Sequence, residues 1–167
     1  TSGGKIIAGT QSPLTMSENI NASDEVSLVS FGSGATDDIT VDADITSGAN
    51  DISLYAGHSV TVNALRTLDA TAGNIQIVSG DNFTDFTIDH DGNATGDIQL
   101  NATSQLKTTS GGIILDSKRH IDTSTVNAGA GIIQLNSVNG NITQNSSALT
   151  AADLLITGAG SATLTRS

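Results

Sequence analysis

One short motif recurs along this chain and limits its possible folds more than any other feature: apolar, any, apolar, with Gly, Asn or Asp just ahead. It reads "DDITV" (Ile39, Val41), "NDISL" (Ile52, Leu54), "GNIQI" (Ile75, Ile77) and "GDIQL" (Ile98, Leu100). It returns as "GGIIL" (Ile113, Leu115), "GIIQL" (Ile133, Leu135) and "ADLLI" (Leu154, Ile156). Apolar residues two apart lie on one face of a strand, and the residue types ahead of them mark corners. The leading positions are spaced 13, 23, 23, 15, 20 and 21 residues apart, gathering near 20 toward the C-terminus. A self-similar period of that size is the signature of a stacked solenoid.

Each period carries further apolar beats. A second falls at Val60 and Val62, Phe86 and Ile88, Leu106, Ile121 and Ile142; a third, weaker one falls at Leu68, Val126 and Leu149. Three short strands per period predict an all-β parallel β-helix of about 20 residues per coil. About seven coils at roughly 4.8 Å per rung give a rod on the order of 35 Å long. A helical alternative fails for want of sustained i, i+3, i+4 spacing, with Gly and Thr dispersed throughout. Residues 1–36 fit less well, since the only proline, Pro13, sits between "KII" and "VSLV". They are expected to form an irregular edge coil or connection, with the repeat segment at 37–167. The chain reads as a piece of a longer protein.

Composition agrees with many strands and many turns. The chain has 15 Asp against 2 Glu, with 18 Gly, and its apolar content is almost wholly aliphatic: three Phe, one Tyr, no Trp. Asp and Gly favour turns, and a core without large aromatics must be narrow. A net charge of −11 with six Lys and Arg argues against nucleic-acid binding, which needs a clustered basic surface. The same charge disfavours docking on anionic membranes, and no run of 18 apolar residues suggests a membrane span. With no cysteine, disulfide scaffolds, thiolate metal sites and Cys nucleophiles are excluded.

The densest cluster of candidate ligands is "DHDGNATGD", residues 89–97, which sets Asp89, Asp91, Asn93 and Asp97 at positions 1, 3, 5 and 9. Alternating oxygen ligands of this kind suit calcium. The EF-hand pattern also wants Gly at position 6 and Glu at position 12, where this chain has Ala94 and Leu100. The competing reading is an acidic corner whose Asp and Asn side chains cap backbone amides. Catalysis has less to build on. Asp37, Asp38, Asp51, Asp97 and Asp153 precede strands at comparable positions, as corner residues would, and no charge-stabilising partner is evident beside them. His58, His90 and His120 read as turn residues, and Lys118-Arg119-His120 as a solvated corner. An ice-binding array would need a regular Thr ladder, and the threonines of "VT", "IT" and "LT" do not hold one register along the sequence.

The segment "GIIQLNSVNGNITQNSSALTAADLLITGAGSATL", residues 131–164, resembles the repeats of filamentous-haemagglutinin-like exoproteins of bacterial two-partner secretion. Ile133 and Leu135, Gly140 and Ile142, then Leu149, Ala151 and Leu154 match the repeat elements, and weaker copies run back to about residue 37. The resemblance implies a right-handed parallel β-helix serving as the non-catalytic shaft of an adhesin, secreted or on a bacterial cell surface. Its partners would be a host, neighbouring-cell or matrix surface, with end-to-end self-association through open strand edges. Neither the family's N-terminal secretion signature nor an Arg-Gly-Asp triplet is present. The alternative is a carbohydrate-active β-helix module of the polysaccharide lyase or hydrolase kind, with catalytic coils lying partly outside this chain.

Overall fold

The computed structural model describes residues 3–81, 95–145, 148–158 and 160–165. Over these the chain winds as a parallel β-solenoid of six three-stranded coils and the start of a seventh. Coil 1 holds β1 (Ile6–Thr10), β2 (Leu14–Met16) and β3 (Ile20–Ala22). Coil 2 holds β4 (Val26–Ser30), β5 (Ile39–Val41) and β6 (Ile45–Ser47). Coil 3 holds β7 (Ile52–Ala56), β8 (Val60–Val62) and β9 (Thr67–Asp69). Coil 4 holds β10 (Ile75–Ser79), β11 (Ile98–Leu100) and β12 (Gln105–Lys107). Coil 5 holds β13 (Ile113–Ser117), β14 (Ile121–Thr123) and β15 (Thr125–Asn127). Coil 6 holds β16 (Ile132–Ser137), β17 (Ile142–Gln144) and β18 (Leu149–Thr150). Coil 7 begins with β19 (Asp153–Gly158) and β20 (Ala162–Thr163).

Equivalent strands stack into three parallel sheets. The first runs β1-β4-β7-β10-β13-β16-β19 and the second β2-β5-β8-β11-β14-β17-β20. The third runs β3-β6-β9-β12-β15-β18. The period is about 23 residues per turn, longer than the 20 expected, and it is uneven. In the first sheet Ile6 pairs with Val26, 20 residues on, and Val26 with Ile52, 26 on. Ile52 pairs with Ile75 after 23 residues, Ile75 with Ile113 after 38, Ile113 with Ile133 after 20, and Ile133 with Leu154 after 21. This unevenness corrects the phase of the repeat. Ile39 and Ile98 open second-sheet strands, pairing with Val60 on either side, rather than first-sheet ones. Leu106 belongs to the third sheet, between Leu68 and Val126. The sheets also cross position 36 without a break, because β1 to β4 already pair in register.

The core is a set of aliphatic columns. Ile52, Ile75, Ile113 and Ile133 form one column, and Leu54, Ile77, Leu115 and Leu135 the next, all fully buried. A third inward column on the first sheet is made of small residues, the hydroxyl-bearing Ser30, Ser79, Ser117 and Ser137 with Ala56 between them. Its hydroxyls satisfy the corner that follows. Ser117 donates to the Gly96 carbonyl at 2.7 Å, and Ser137 donates to the carbonyl of Arg119. Buried polar groups of this kind persist because they are paired.

One corner is built on glycine. Gly73, Gly111 and Gly131 stack ahead of the first sheet so tightly that a Cβ on Gly111 would strike the Gly73 carbonyl, and one on Gly131 the Gly111 carbonyl. Any larger residue there would push two coils apart. The first sheet also carries an apolar cluster on its outer face: Val29, Tyr55 and Val78, with Phe31 packed against them. These residues are the second members of the doublets Leu28-Val29, Leu54-Tyr55 and Ile77-Val78, so the pleat turns them outward.

Candidate functional site

Three members of the proposed calcium set, Asp89, Asp91 and Asn93, lie outside the described residues, as does His90. The fourth, Asp97, is already engaged. Its carboxylate accepts Arg119 Nε at 2.8 Å on one oxygen and Nη2 at 2.5 Å on the other. The His120 amide donates to Oδ1 at 3.0 Å. Burial pushes the Asp97 carboxyl up, but the guanidinium and the amide outweigh it and hold the carboxyl below its ordinary range. Among the described residues no three His, Asp or Glu side chains gather closely enough to hold a metal ion.

Asp97 belongs to a ladder running up the corner ahead of the second sheet. Each side chain in it accepts the backbone N–H of the next coil. Asp38 accepts from Ser59 at 2.9 Å, Ser59 Oγ from Asp97 at 3.2 Å, and Asp97 from His120 at 3.0 Å. His120 Nδ1 then accepts from Asn141 at 3.0 Å, and Asn141 Oδ1 from Ser161 at 3.1 Å. Because His120 accepts through Nδ1, its proton sits on Nε2. His58 takes the other arrangement, with Nδ1 2.6 Å from Asp38 Oδ1. Shorter ladders occupy the other corners. Asp44 accepts the Thr67 amide at 2.9 Å, and Asp51 the Asn74 amide at 2.7 Å. Asx and Ser side chains are suited to this because a short polar arm reaches a nearby amide without strain.

The corner carboxylates named from the sequence thus divide between places. Asp38 and Asp97 stand in the ladder two coils apart, while Asp51 precedes the first-sheet strand β7 and Asp153 is the opening residue of β19. Asp37 is buried and caps a turn by accepting the Gly34 amide at 2.7 Å. Asp38, His58 and Ser59 come together, yet both the carboxylate and the Ser59 hydroxyl, at 3.2 Å, face the same ring nitrogen of His58. A nucleophilic triad needs them on opposite nitrogens.

Charge is disposed along the rod in pairs that each bridge neighbouring coils. Lys5 meets Glu25 at 2.8 Å, Arg66 meets Asp42 at 3.0 Å, Lys107 meets Asp69 at 2.9 Å, and Arg119 meets Asp97. The separation of these residues in sequence, by about one coil, is why they look isolated there. The threonine expectation is also corrected. Thr15, Thr40, Thr61, Thr143 and Thr163 stand in one outward rank of the second sheet. Unequal coil lengths hide that register in the sequence. Gln99 and Asp122 interrupt the rank between Thr61 and Thr143, so the regular array that ice binding requires is still not formed.

A groove of about 290 Å³ on the outer face of the first sheet went unforeseen. Ser27 and Ser53, register partners in adjacent coils, form its floor. Ile7 and Tyr55 stand at its ends, and the Lys5–Glu25 ion pair along its side. Tyr55 is held by a hydrogen bond donated to Gln76 Oε1 at 2.9 Å. Only the alternation within "KII", "EVSLV" and "ISLY" hints at it, by turning Ile7, Ser27 and Ser53 outward. The solenoid defines the class of this protein. No family model matches the chain, and neither does any curated protein or solved structure.

Proposed function

We propose that this chain is a non-catalytic shaft segment of a large secreted or cell-surface bacterial exoprotein of the filamentous-haemagglutinin-like kind. Its surface serves attachment to a host, a neighbouring cell or a matrix. The reading carries with it a right-handed winding, the hand that parallel crossovers favour. The observation that supports it most is the use made of the corner carboxylates. Asp38, Asp44, Asp51 and Asp97 spend their oxygens on amides of the next coil, which stiffens the stack. Repeated bonds of this kind suit a part whose work is to hold its shape and present its faces.

The test is attachment of beads coated with the chain to cultured epithelial cells, bacterial cells and matrix-coated surfaces under flow. Retention above that of uncoated beads on at least one surface supports the reading. A chain that holds to none of them, or that releases new reducing ends or unsaturated products from acidic or neutral polysaccharides, overturns it. The second outcome would favour a carbohydrate-active module.

A further inference from the structure

One coil boundary is built differently from its neighbours, at the corner between the second and third sheets. At four boundaries the first residue past the second-sheet strand donates its amide to the strand below: Asp42 to Met16, Asn63 to Val41, Asn101 to Val62 and Asn145 to Thr123, at 2.8–3.0 Å. Between coils 4 and 5 the equivalent bond, from Ser124 to Leu100, is not made among the described residues. The pairing of β11 with β14 stops at Gln99 and Asp122, one residue short of Leu100 and Thr123. The next bond along, from the Thr125 amide to the Ser104 carbonyl, is drawn out to 3.3 Å. Its counterpart one boundary below, from Gln105 to Arg66, is 2.8 Å. The cause is chain length. Residues 101–104 turn this corner in coil 4, and Ser124 alone turns it in coil 5. The short corner cannot follow the long one beneath it.

The side chains carry the same break. Ser104 and Ser124 immediately precede the register partners Gln105 and Thr125, so they stack across the boundary. Both are fully buried, and among the described residues theirs are the only side-chain polar atoms sealed from water with no hydrogen-bond partner. Each hydroxyl costs free energy while the corner is closed, and gains a partner when water enters. The first sheet, by contrast, holds the same two coils through all five residues of β10 and β13, from Ile75 and Ile113 to Ser79 and Ser117. We propose that the boundary between coils 4 and 5 is a hinge. The corner at Ser104 and Ser124 opens to water while the first sheet stays paired, so the rod flexes about that sheet at one fixed height. This device belongs to the shape of the shaft and is independent of what its surface attaches to.

The experiment is native-state hydrogen exchange of the whole chain, followed amide by amide and corrected for intrinsic rates. Three amides report on the hinge. Thr125 sits at the corner, Gln105 holds the same place one boundary below, and Lys118 donates to Ser79 at 3.1 Å at the end of the first sheet. Thr125 is expected to exchange about tenfold faster than either of the others, as a local opening requires. Ser104→Ala and Ser124→Ala each remove a group that water would stabilise in the open state, so each should slow exchange at Thr125 about fivefold or more. Ser117→Ala takes away a hydroxyl that is paired with the Gly96 and His120 carbonyls, at 2.7 and 3.0 Å, and should act in the opposite sense, speeding exchange at Lys118. Matching thermal melts show that the variants are folded. Three results would each overturn the proposal. Thr125 as well protected as Gln105 would mean that the corner stays closed. Thr125 and Lys118 exchanging at one rate would mean that the coils part as a whole. Faster exchange at Thr125 in folded Ser104→Ala or Ser124→Ala would mean that the lost hydroxyl was holding the corner shut.

Discussion

Arg119 closes on Asp97 across a single coil boundary, one guanidinium nitrogen to each carboxylate oxygen, while the amide of the next residue, His120, takes a third bond to the same group. Removing the carboxylate therefore leaves both an amide and a cation without their partner. Asp97→Ala is expected to lower unfolding free energy by about 1–3 kcal/mol, read by urea denaturation. Arg119→Ala should cost less, about 1 kcal/mol or below, because its side chain is 42% exposed and water replaces the lost contact.

The same pair bears on calcium. A metal held through Asp97 would have to displace Arg119. With Asp97 serving the coil boundary instead, Asp97→Asn lowers the melting midpoint equally in calcium and in chelator. A loss seen only in calcium would give Asp97 a place in a metal site.

Acid should loosen these boundaries in a defined window. Burial alone would raise the carboxyls of Asp69 and Asp97, but Lys107 and the Thr71 amide for one, and Arg119 and the His120 amide for the other, hold both below the ordinary value. A carboxyl depressed on folding contributes stability above its unfolded pKa, about 3.9, and loses it as pH falls through the lower folded value. Denaturation midpoints measured from pH 7 downward should thus fall most steeply below about pH 4. The slope should be shallower in Asp97→Asn. An unchanged slope would remove Asp97 from the account.

At the glycine corner the expected effect is steric. Gly111→Ala places a methyl group against the Gly73 carbonyl in the coil below. Relief requires the adjacent turns that lead into β10 and β13 to separate locally, so a loss of about 2 kcal/mol or more is expected, within the range of overpacked sites. Gly112→Ala, whose new Cβ would lie no closer than 3.5 Å to its neighbours, is the matched control and should be nearly silent.

Mid-rod and end-of-rod side chains should differ sharply. Leu115→Ala empties a fully buried position and should cost about 2–5 kcal/mol. Leu154→Ala, at a position 44% exposed in coil 7, should cost under about 1 kcal/mol. Self-association of this chain through its outermost strand edges would be visible as a sedimentation coefficient rising with concentration. Leu154→Lys should suppress the rise, and a strictly monomeric wild type at high concentration would end the idea.

The sequence announced the stack but not its phase. Ile75 and Ile77 or Ile133 and Leu135 are readable because a buried strand must alternate, and a corner residue precedes each. The same corner-plus-alternation marks Ile39 and Ile98, which belong to a different sheet. Nothing local separates a first-sheet strand from a second-sheet one, since both face the same core. Distance along the chain misleads too. The step from Ile75 to Ile98 equals a full turn in length, yet lies within the 38-residue coil 4. The corner role of Asp38, Asp51 and Asp97 was legible from position alone. The groove was not, because Ser27 and Ser53 meet only through register, and an outward serine looks like any solvated residue.

The uneven coil lengths acquire a meaning when the rod is pulled from its ends. Hydrogen bonds between coils lie along the axis and are loaded in series, so tension peels one turn at a time from an exposed end. Each turn surrenders a fixed length of slack. A 20-residue turn such as that from Ile113 to Ile133 yields roughly 60 Å, and the 38-residue turn from Ile75 to Ile113 roughly 120 Å, taking about 3.3 Å per extended residue. A force–extension trace would then carry the register as a series of unequally spaced sawteeth, with the longest extension step marking coil 4. A tether of this kind gives way in instalments, and so keeps hold under a tug that would snap a rigid joint.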